Sequence, residues 1–315
     1  MKTLLLSACI GLIAGFGHGA GGSDWNRVYD DVPATASPRK FVATEQKSGM
    51  IGVYYDYPGR EPAAQWLWSA KKDPNVRAED RKLFGVPDEC KPVDGGKFIL
   101  MNDSLGGFAG LDVMTGRCAF YGNAGGNPHS VDRLPDGRIA VASSTGRTLK
   151  LFDVKEHPFE PTKQKVVTAL DLPGGHGVVW DAKRNSLFAL GYTNLYELAY
   201  SSETMSVTVK KRWDYVADCR DAWGHDLLPD GRGGYYFTNH SGVWHFDPKT
   251  EKFALARDVR NVKAFSPSGS GDLLTIPNES WWTDTLLVLP SGSSDLRTAR
   301  KIVLPGARFY KARWF

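Results

Sequence analysis

"HSVDRLPDGRIAVASSTGRTLKLFDV", residues 129–154, decides the fold. It reads as three short strands: one running from His129, a tight turn at Asp136–Gly137, the apolar run "RIAVASS", a loop at Thr145–Gly146, then "TLKLFDV". An Asp–Gly pair between such runs is a hairpin signal. The same grammar returns in "HGVVWDAKRNSLFALGYTNLYEL" from His176, 47 residues on, and in "HDLLPDGRGGYYFTNHSGVWHFDP" from His225, another 49 on. A fourth copy, "KAFSPSGSGDLLTIPNESWWTDTLLVL", starts at Lys263, and "KPVDGGKFILMNDSLGGFAGLDVMTGRCAFYG" (91–122) fits the same template. Helical periodicity is scarce. The short helical stretch near "DPNVRAEDRKLFG" (73–85) reads as an insertion, and the charged stretch "SAKKDPNVRAEDRK" (69–82) as a solvated face.

Repeats of roughly 40 to 50 residues with about four strands each indicate a β-propeller. The expected fold is therefore all-β: a single propeller, with six blades of four-stranded antiparallel sheet and seven as the alternative. A pair of β-sandwiches would explain the strands but not the shared phase of the repeat starts. "KFVATEQ" and "GMIGVYYDY" look like the second and third strands of a blade that lacks its first. The chain ends in "ARFYKARWF", a strand without a following partner. Pairing this C-terminal strand into the N-terminal blade would close the ring and remove two exposed edges.

Residues 1–20 read as a secretory signal: one lysine, an apolar run from Leu4 to Phe16, then small residues. Residues 21–315 form one propeller domain in this reading. The expected location is secreted or periplasmic in a bacterium, with lipid anchoring at Cys9 the less favoured variant. No later stretch is long and apolar enough for a membrane span. Lys and Arg number 39 against 35 Asp and Glu, without a long basic run, which argues against nucleic acid. Three cysteines follow the leader (Cys90, Cys118, Cys219), so at most one disulfide can form, and their spacing matches no zinc motif. The chain is expected to be a monomer.

In a propeller the first strand of each blade lines the central channel, and the loop before it opens on one face. The phase of the repeat therefore gathers His129, His176, His225 and Lys263 at one mouth. Tyr310, Lys311 and Arg313 of the terminal strand have comparable access, with strict alternation placing Tyr310 opposite the two cations. Loops between second and third strands add Glu45, Tyr192, Asn194, Asn239, His240, Trp281 and Trp282 to the same face. If Trp281 and Trp282 lie in a strand, only one of them can be a stacking platform. His157 and His245 fall outside the phase and read as surface or packing residues.

Taken together, "FVATEQ", "GNPHSVDRLPDGRIAVASSTG", "HGVVWD", "LFALGY", "GHDLLPD", "WWTDT" and "FYKARWF" resemble the bacterial secreted family catalogued as domain of unknown function 6528. The resemblance runs from residue 41 to 315 and implies a propeller-like fold and an exported protein, often from bacteria that degrade complex glycans. It supplies no reaction and no catalytic residues. At the level of fold alone, the phased histidines are similar to those of propeller polysaccharide lyases.

The function expected from these residues is a secreted carbohydrate-active protein, a lyase or glycosidase acting on a uronic-acid-containing glycan; the alternative is a non-catalytic glycan- or ligand-binding propeller. Lyase chemistry needs a carboxylate neutralised, a base and an acid. Lys263, Lys311 or Arg313 could neutralise, His176 or His225 could be the base, and Tyr310 or Tyr192 the acid, with His129 beside them. Substrate-binding candidates are Lys263, Lys311, Arg313, Tyr192, Asn194, Trp281, Trp282, Glu45, Asn239 and His240. No cofactor is required outright. In a variant of this mechanism, His129, His176 and His225 hold a divalent metal (Mn, Zn or Ca) that does the neutralising. The partner is a poly- or oligosaccharide. No G-x-S-x-G, Walker loop or H-E-x-x-H is present.

Overall fold

Short apolar runs broken by Asp–Gly and Gly-containing turns pair with their neighbours in chain order, because a tight turn leaves each strand nothing nearer to bond. The computed structural model describes residues 39–315; the leader expected over 1–20 lies outside the described residues. Six four-stranded antiparallel sheets result. The first contains β1 (Arg39–Glu45), β2 (Met50–Asp56) and β3 (Ala63–Trp68), and the second β4 (Pro87–Val93), β5 (Phe98–Asp103), β6 (Gly107–Asp112) and β7 (Arg117–Asn123). The third runs from β8 (Pro128–Arg133) through β9 (Ile139–Ser143) and β10 (Thr148–Asp153) to β11 (Lys165–Asp171). The fourth comprises β12 (Gly177–Asp181), β13 (Ser186–Leu190), β14 (Asn194–Ser201) and β15 (Ser206–Asp214). The fifth comprises β16 (Asp226–Pro229), β17 (Tyr235–Thr238), β18 (Val243–Asp247) and β19 (Lys252–Arg257). The sixth comprises β20 (Ala264–Ser266), β21 (Asp272–Thr275), β22 (Thr285–Leu289) and β23 (Arg300–Val303).

The last strand, β24 (Phe309–Trp314), pairs antiparallel with β1, in the register Phe41↔Trp314 and Ala43↔Ala312. It supplies the missing inner strand of the first blade, as the two orphan edges require, and six blades close the ring. Six apolar clusters lie between neighbouring blades, one per junction. Between blades two and three, the rings of Phe108 and Phe152 meet at 4.6 Å, both fully buried. Burying each such ring stabilises by about 1.5–3 kcal/mol.

One local expectation changes. The stretch 73–85 does form a short 3-10 helix, Ala78–Leu83, between β3 and β4. It is not simply a solvated face, because Asp73 is buried and accepts hydrogen bonds from Trp68 Nε1 and the Cys118 amide, both at 2.6 Å. The three cysteines of the described residues are all free and buried. Among the described residues no helix is long and apolar enough to cross a membrane.

Candidate functional site

Each inner strand begins at the same end of the channel, and each contributes one side chain to its mouth. Around the ring these are Tyr310, Asp88, His129, His176, His225 and Lys263, all buried or nearly so and all lining one cavity of about 600 Å³. Registers explain the equivalence. Asp88 and His129 sit at the same bulge, between Pro87↔Asp103 and Glu89↔Asn102 in one blade and between Pro128↔Ser143 and Ser130↔Ala142 in the next. His176, His225 and Lys263 each donate their backbone N–H to the last residue of the neighbouring strand, Leu190, Thr238 and Thr275. A bulge lets consecutive side chains share one side, and β24 is also bulged against β1 between Ala43 and Glu45. Strict alternation therefore fails there: Tyr310 and Lys311 both face the channel.

The glycines of "GGHGVVWD" place His176. Gly174 has φ +60°, and a Cβ on it would fall 2.9 Å from Tyr192 Cβ. At Gly177 a Cβ would fall 2.5 Å from Leu227 Cβ, so the fourth and fifth inner strands approach only because that position is bare.

The three imidazoles form an arc. His129 stacks on His176 with centroids 4.3 Å apart and planes at 13°, and His176 meets His225 edge-on at 5.3 Å. His176 Nδ1–H donates to Gly174 O at 2.9 Å, which leaves Nε2 as a bare acceptor. Lys263 Nζ donates to His225 Nε2 at 2.9 Å, so His225 Nδ1 carries its proton, and that atom is buried without a protein partner among the described residues. Burial, with cations nearby, holds all three imidazoles neutral. His176 is lowered to about 3, and His129 and His225 fall well below the usual histidine range. Lys263 is lowered to about 8 by burial and by Lys311.

The acidic corner adjoins His129, whose Nδ1 lies 3.9 Å from Asp88. Burial pushes the Asp88 carboxyl well above the usual carboxylate range, although Ser104 Oγ–H donates to it at 2.5 Å. Gln46 Nε2 donates to its other oxygen at 2.9 Å. The Tyr310 hydroxyl lies 3.5 Å from His129 Nδ1, and burial raises it far above the usual phenol range, so it keeps its proton.

One layer deeper, four charges fill the channel. Arg313 bonds Asp226 through two nitrogens, both at 2.6 Å, and Glu89 at 2.9 and 3.1 Å. Lys311 Nζ lies 3.3 Å from Glu89 and 3.4 Å from Asp226 and donates to His129 O at 3.1 Å. Burial alone would raise both carboxyls, but Arg313 and Lys311 overcome it and hold them ionised. Small neighbours at the same level (Ser130, Gly177, Ala264) leave room for this quartet.

Of the candidates expected from sequence, the mouth gathers His129, His176, His225, Tyr310, Lys263, His240, Trp281 and Trp282. Both tryptophans reach it because they lie in a hairpin turn and not in a strand: Trp282 N–H donates to Glu279 O, and Ser280 has φ +52°. Lys311 and Arg313 lie in the channel but are spent on Glu89 and Asp226. Glu45 is used up on backbone amides, accepting from Lys47 and Ser48 in its own loop and from Arg308 beside β24. Asn239 is fully buried, its oxygen taken by Ser241, Gly242 and Trp244. Asn194 accepts from Thr193 and Arg212, and Tyr192 packs behind Trp223 at 4.5 Å; neither lines the cavity.

The metal variant does not fit. Stacked rings run their nitrogen edges parallel instead of converging them, His176 Nδ1 is committed to a carbonyl, and His225 Nε2 faces an ammonium. Among the described residues no three His, Cys, Asp or Glu side chains are grouped as a metal requires.

Sequence reading missed Asp88, Glu89, Asp226, Ser104, Asn127 and the half-exposed rim residue Trp223. The inner strand β4 starts at Pro87, four residues before the repeat as read from Lys91. Aligning "PDE" with "PHS" at 128–130 would have exposed Asp88 as the partner of His129.

The family described as "Family of unknown function (DUF6528)" matches residues 1–315. No curated protein matches the sequence. Among solved structures, the chain is similar to the β-propeller domain of Myceliophteria thermophila Cps50 (Swd1), with a TM-score of 0.55 and 11% identity, over 89% of this chain and 90% of that one. At that identity the likeness concerns the fold alone.

Proposed function

The chain belongs to the DUF6528 family, and we propose that it is an exported carbohydrate-active propeller that takes the carboxylate-bearing end of a glycan into the channel mouth and cleaves it by β-elimination. The observation that carries this reading is Lys263. Among the mouth side chains it is the cation that no described carboxylate pairs with, and it stands 5.8 Å from the ring of Trp281, which is 64% exposed. An ammonium beside an aromatic face suits an acidic sugar, whose carboxylate meets the charge while its C–H face covers the ring.

The remaining groups supply the chemistry. His176 Nε2, bare and neutral, takes the proton from the carbon that bears the carboxylate. The electron pair forms a double bond to the neighbouring carbon as its bond to the glycosidic oxygen breaks. Tyr310 gives its proton to that oxygen, and His129 at 3.5 Å supports the phenolate. Lys263 holds the carboxylate and thereby acidifies the carbon. The carboxylate's charge also raises the basicity of His176 once the sugar is bound.

The test is a screen against uronate-rich polysaccharides. New ultraviolet absorbance from an unsaturated product is expected from the wild type. Tyr310→Phe should bind the sugar with near-normal affinity and lose turnover by about 10²–10⁴-fold. Unchanged turnover in Tyr310→Phe and His176→Ala would sink the mechanism. A second reading, binding without cleavage, is favoured by the low basicity of His176, at about 3 in the free pocket. Saturable binding with no unsaturated product under any condition would decide for it.

A further inference from the structure

Beside the mouth lies a second cleft of about 450 Å³, lined by Lys47, Asn278, Glu279, Asp284, Gly306 and Arg308. Trp282 connects the two: its side chain lines the mouth, and the guanidinium of Arg308, a cleft residue, lies 4.5 Å from its ring centroid. The partition is held rigidly. Thr283 and Phe309 exchange backbone hydrogen bonds at 2.8 and 3.0 Å, which staples the tryptophan hairpin to the start of β24 next to Tyr310. Across the cleft, Arg308 N–H is fixed by the Glu45 carboxylate, and Lys47 Nζ donates to Gly306 O at 2.9 Å.

We propose that this cleft is a second sugar subsite, reached over Trp282, and that it takes an uncharged sugar ring adjoining the acidic one. This inference rests on the reading of the mouth as an acidic-sugar site. Its own argument is charge balance. The mouth presents Lys263 among neutral groups, whereas the cleft sets two cations, Lys47 and Arg308, against two carboxylates, Glu279 and Asp284. The Arg308 guanidinium is held over the Trp282 ring, and Asn278 adds an amide that contacts Asp284 at 3.4 Å. Interleaved donors and acceptors fit vicinal hydroxyls and an acetamido group. A second sugar carboxylate would meet Glu279 and Asp284 as well as the two cations and gain no net attraction. The ligand is therefore a glycan in which acidic and neutral sugars alternate, at least two rings long, with Trp282 under the linkage.

Titration calorimetry on the full chain tests this, in a Tyr310→Phe background so that sugar is not consumed. The probes are glucuronic acid, a hyaluronan tetrasaccharide (alternating glucuronate and N-acetylglucosamine) and a tetragalacturonate. The alternating tetrasaccharide should bind about tenfold or more tighter than the monosaccharide, since the second ring binds as an intramolecular event. Arg308→Ala should remove that gain and leave glucuronic acid binding unchanged, and Glu279→Gln should improve tetragalacturonate selectively. A chain-length gain that survives Arg308→Ala, or equal affinity for the two tetrasaccharides, overturns the subsite while leaving the mouth reading intact. No binding of any probe overturns both.

Discussion

His176, His129 and His225 are held neutral by burial, and this has a stability consequence whose sign is fixed. An unfolded histidine takes a proton near pH 6.5, whereas the folded His176 does so only near 3. Between those values the unfolded chain binds more protons, so stability falls as pH falls. At pH 5 the buried His176 costs about 2 kcal/mol relative to neutral pH, and His129 and His225 act in the same direction. Urea melts should therefore show a steep loss between pH 6.5 and pH 4, and His176→Asn should flatten it by about one proton; a slope unchanged by the substitution would contradict the burial argument. Lys263 acts at the other end. With its ammonium titrating near 8 in the free protein, affinity for an acidic sugar should fall by up to about tenfold per pH unit above that point. Lys263→Met should weaken binding by about 10- to 100-fold and abolish the alkaline fall, read by calorimetry at pH 7 and pH 9.5. Legibility at this scale was uneven. The histidines and Lys263 were visible because repeats of similar length put them in phase. Asp88 was not, because its bulged strand begins before the apolar run that marks the blade. Asn239 and Glu45 looked like ligands in sequence, since composition cannot show that a polar group is already consumed by backbone amides.

Among the elements, β24 carries the most consequence. It completes the first blade, lends Tyr310 to the mouth and places Lys311 and Arg313 against carboxylates of the second and fifth blades. Removing one partner from a buried ion cluster leaves an uncompensated charge, at a cost of about 3–5 kcal/mol. Arg313→Met should lose stability on that scale in urea denaturation, while Arg313→Met combined with Asp226→Asn, which leaves Lys311 paired with Glu89, should recover much of it. Failure of the double variant to recover would point to packing, not charge, as what Arg313 supplies. The pairing of this strand was readable from the two orphan edges. Its bulge was not, because a one-residue register shift depends on the partner strand and leaves no mark in the pattern of its own residues.

For the whole molecule, ring closure is a property of all six blades together. Deleting residues 309–315 would expose the inner edge of β1 and open two blade junctions at once. The truncated protein is expected to aggregate and to lose a single cooperative thermal transition; a monomer melting cooperatively near the wild-type temperature would show that closure is dispensable. The fold and its phase follow from sequence alone, because hairpin turns and apolar runs act locally and repeat six times. What the channel contains was decided by the tertiary structure. Which cation is spent and which is free depends on carboxylates that come from β4 and β16, more than 80 residues away from β24 in the chain. Burial then sets each group's protonation, and burial exists only once six blades surround one axis.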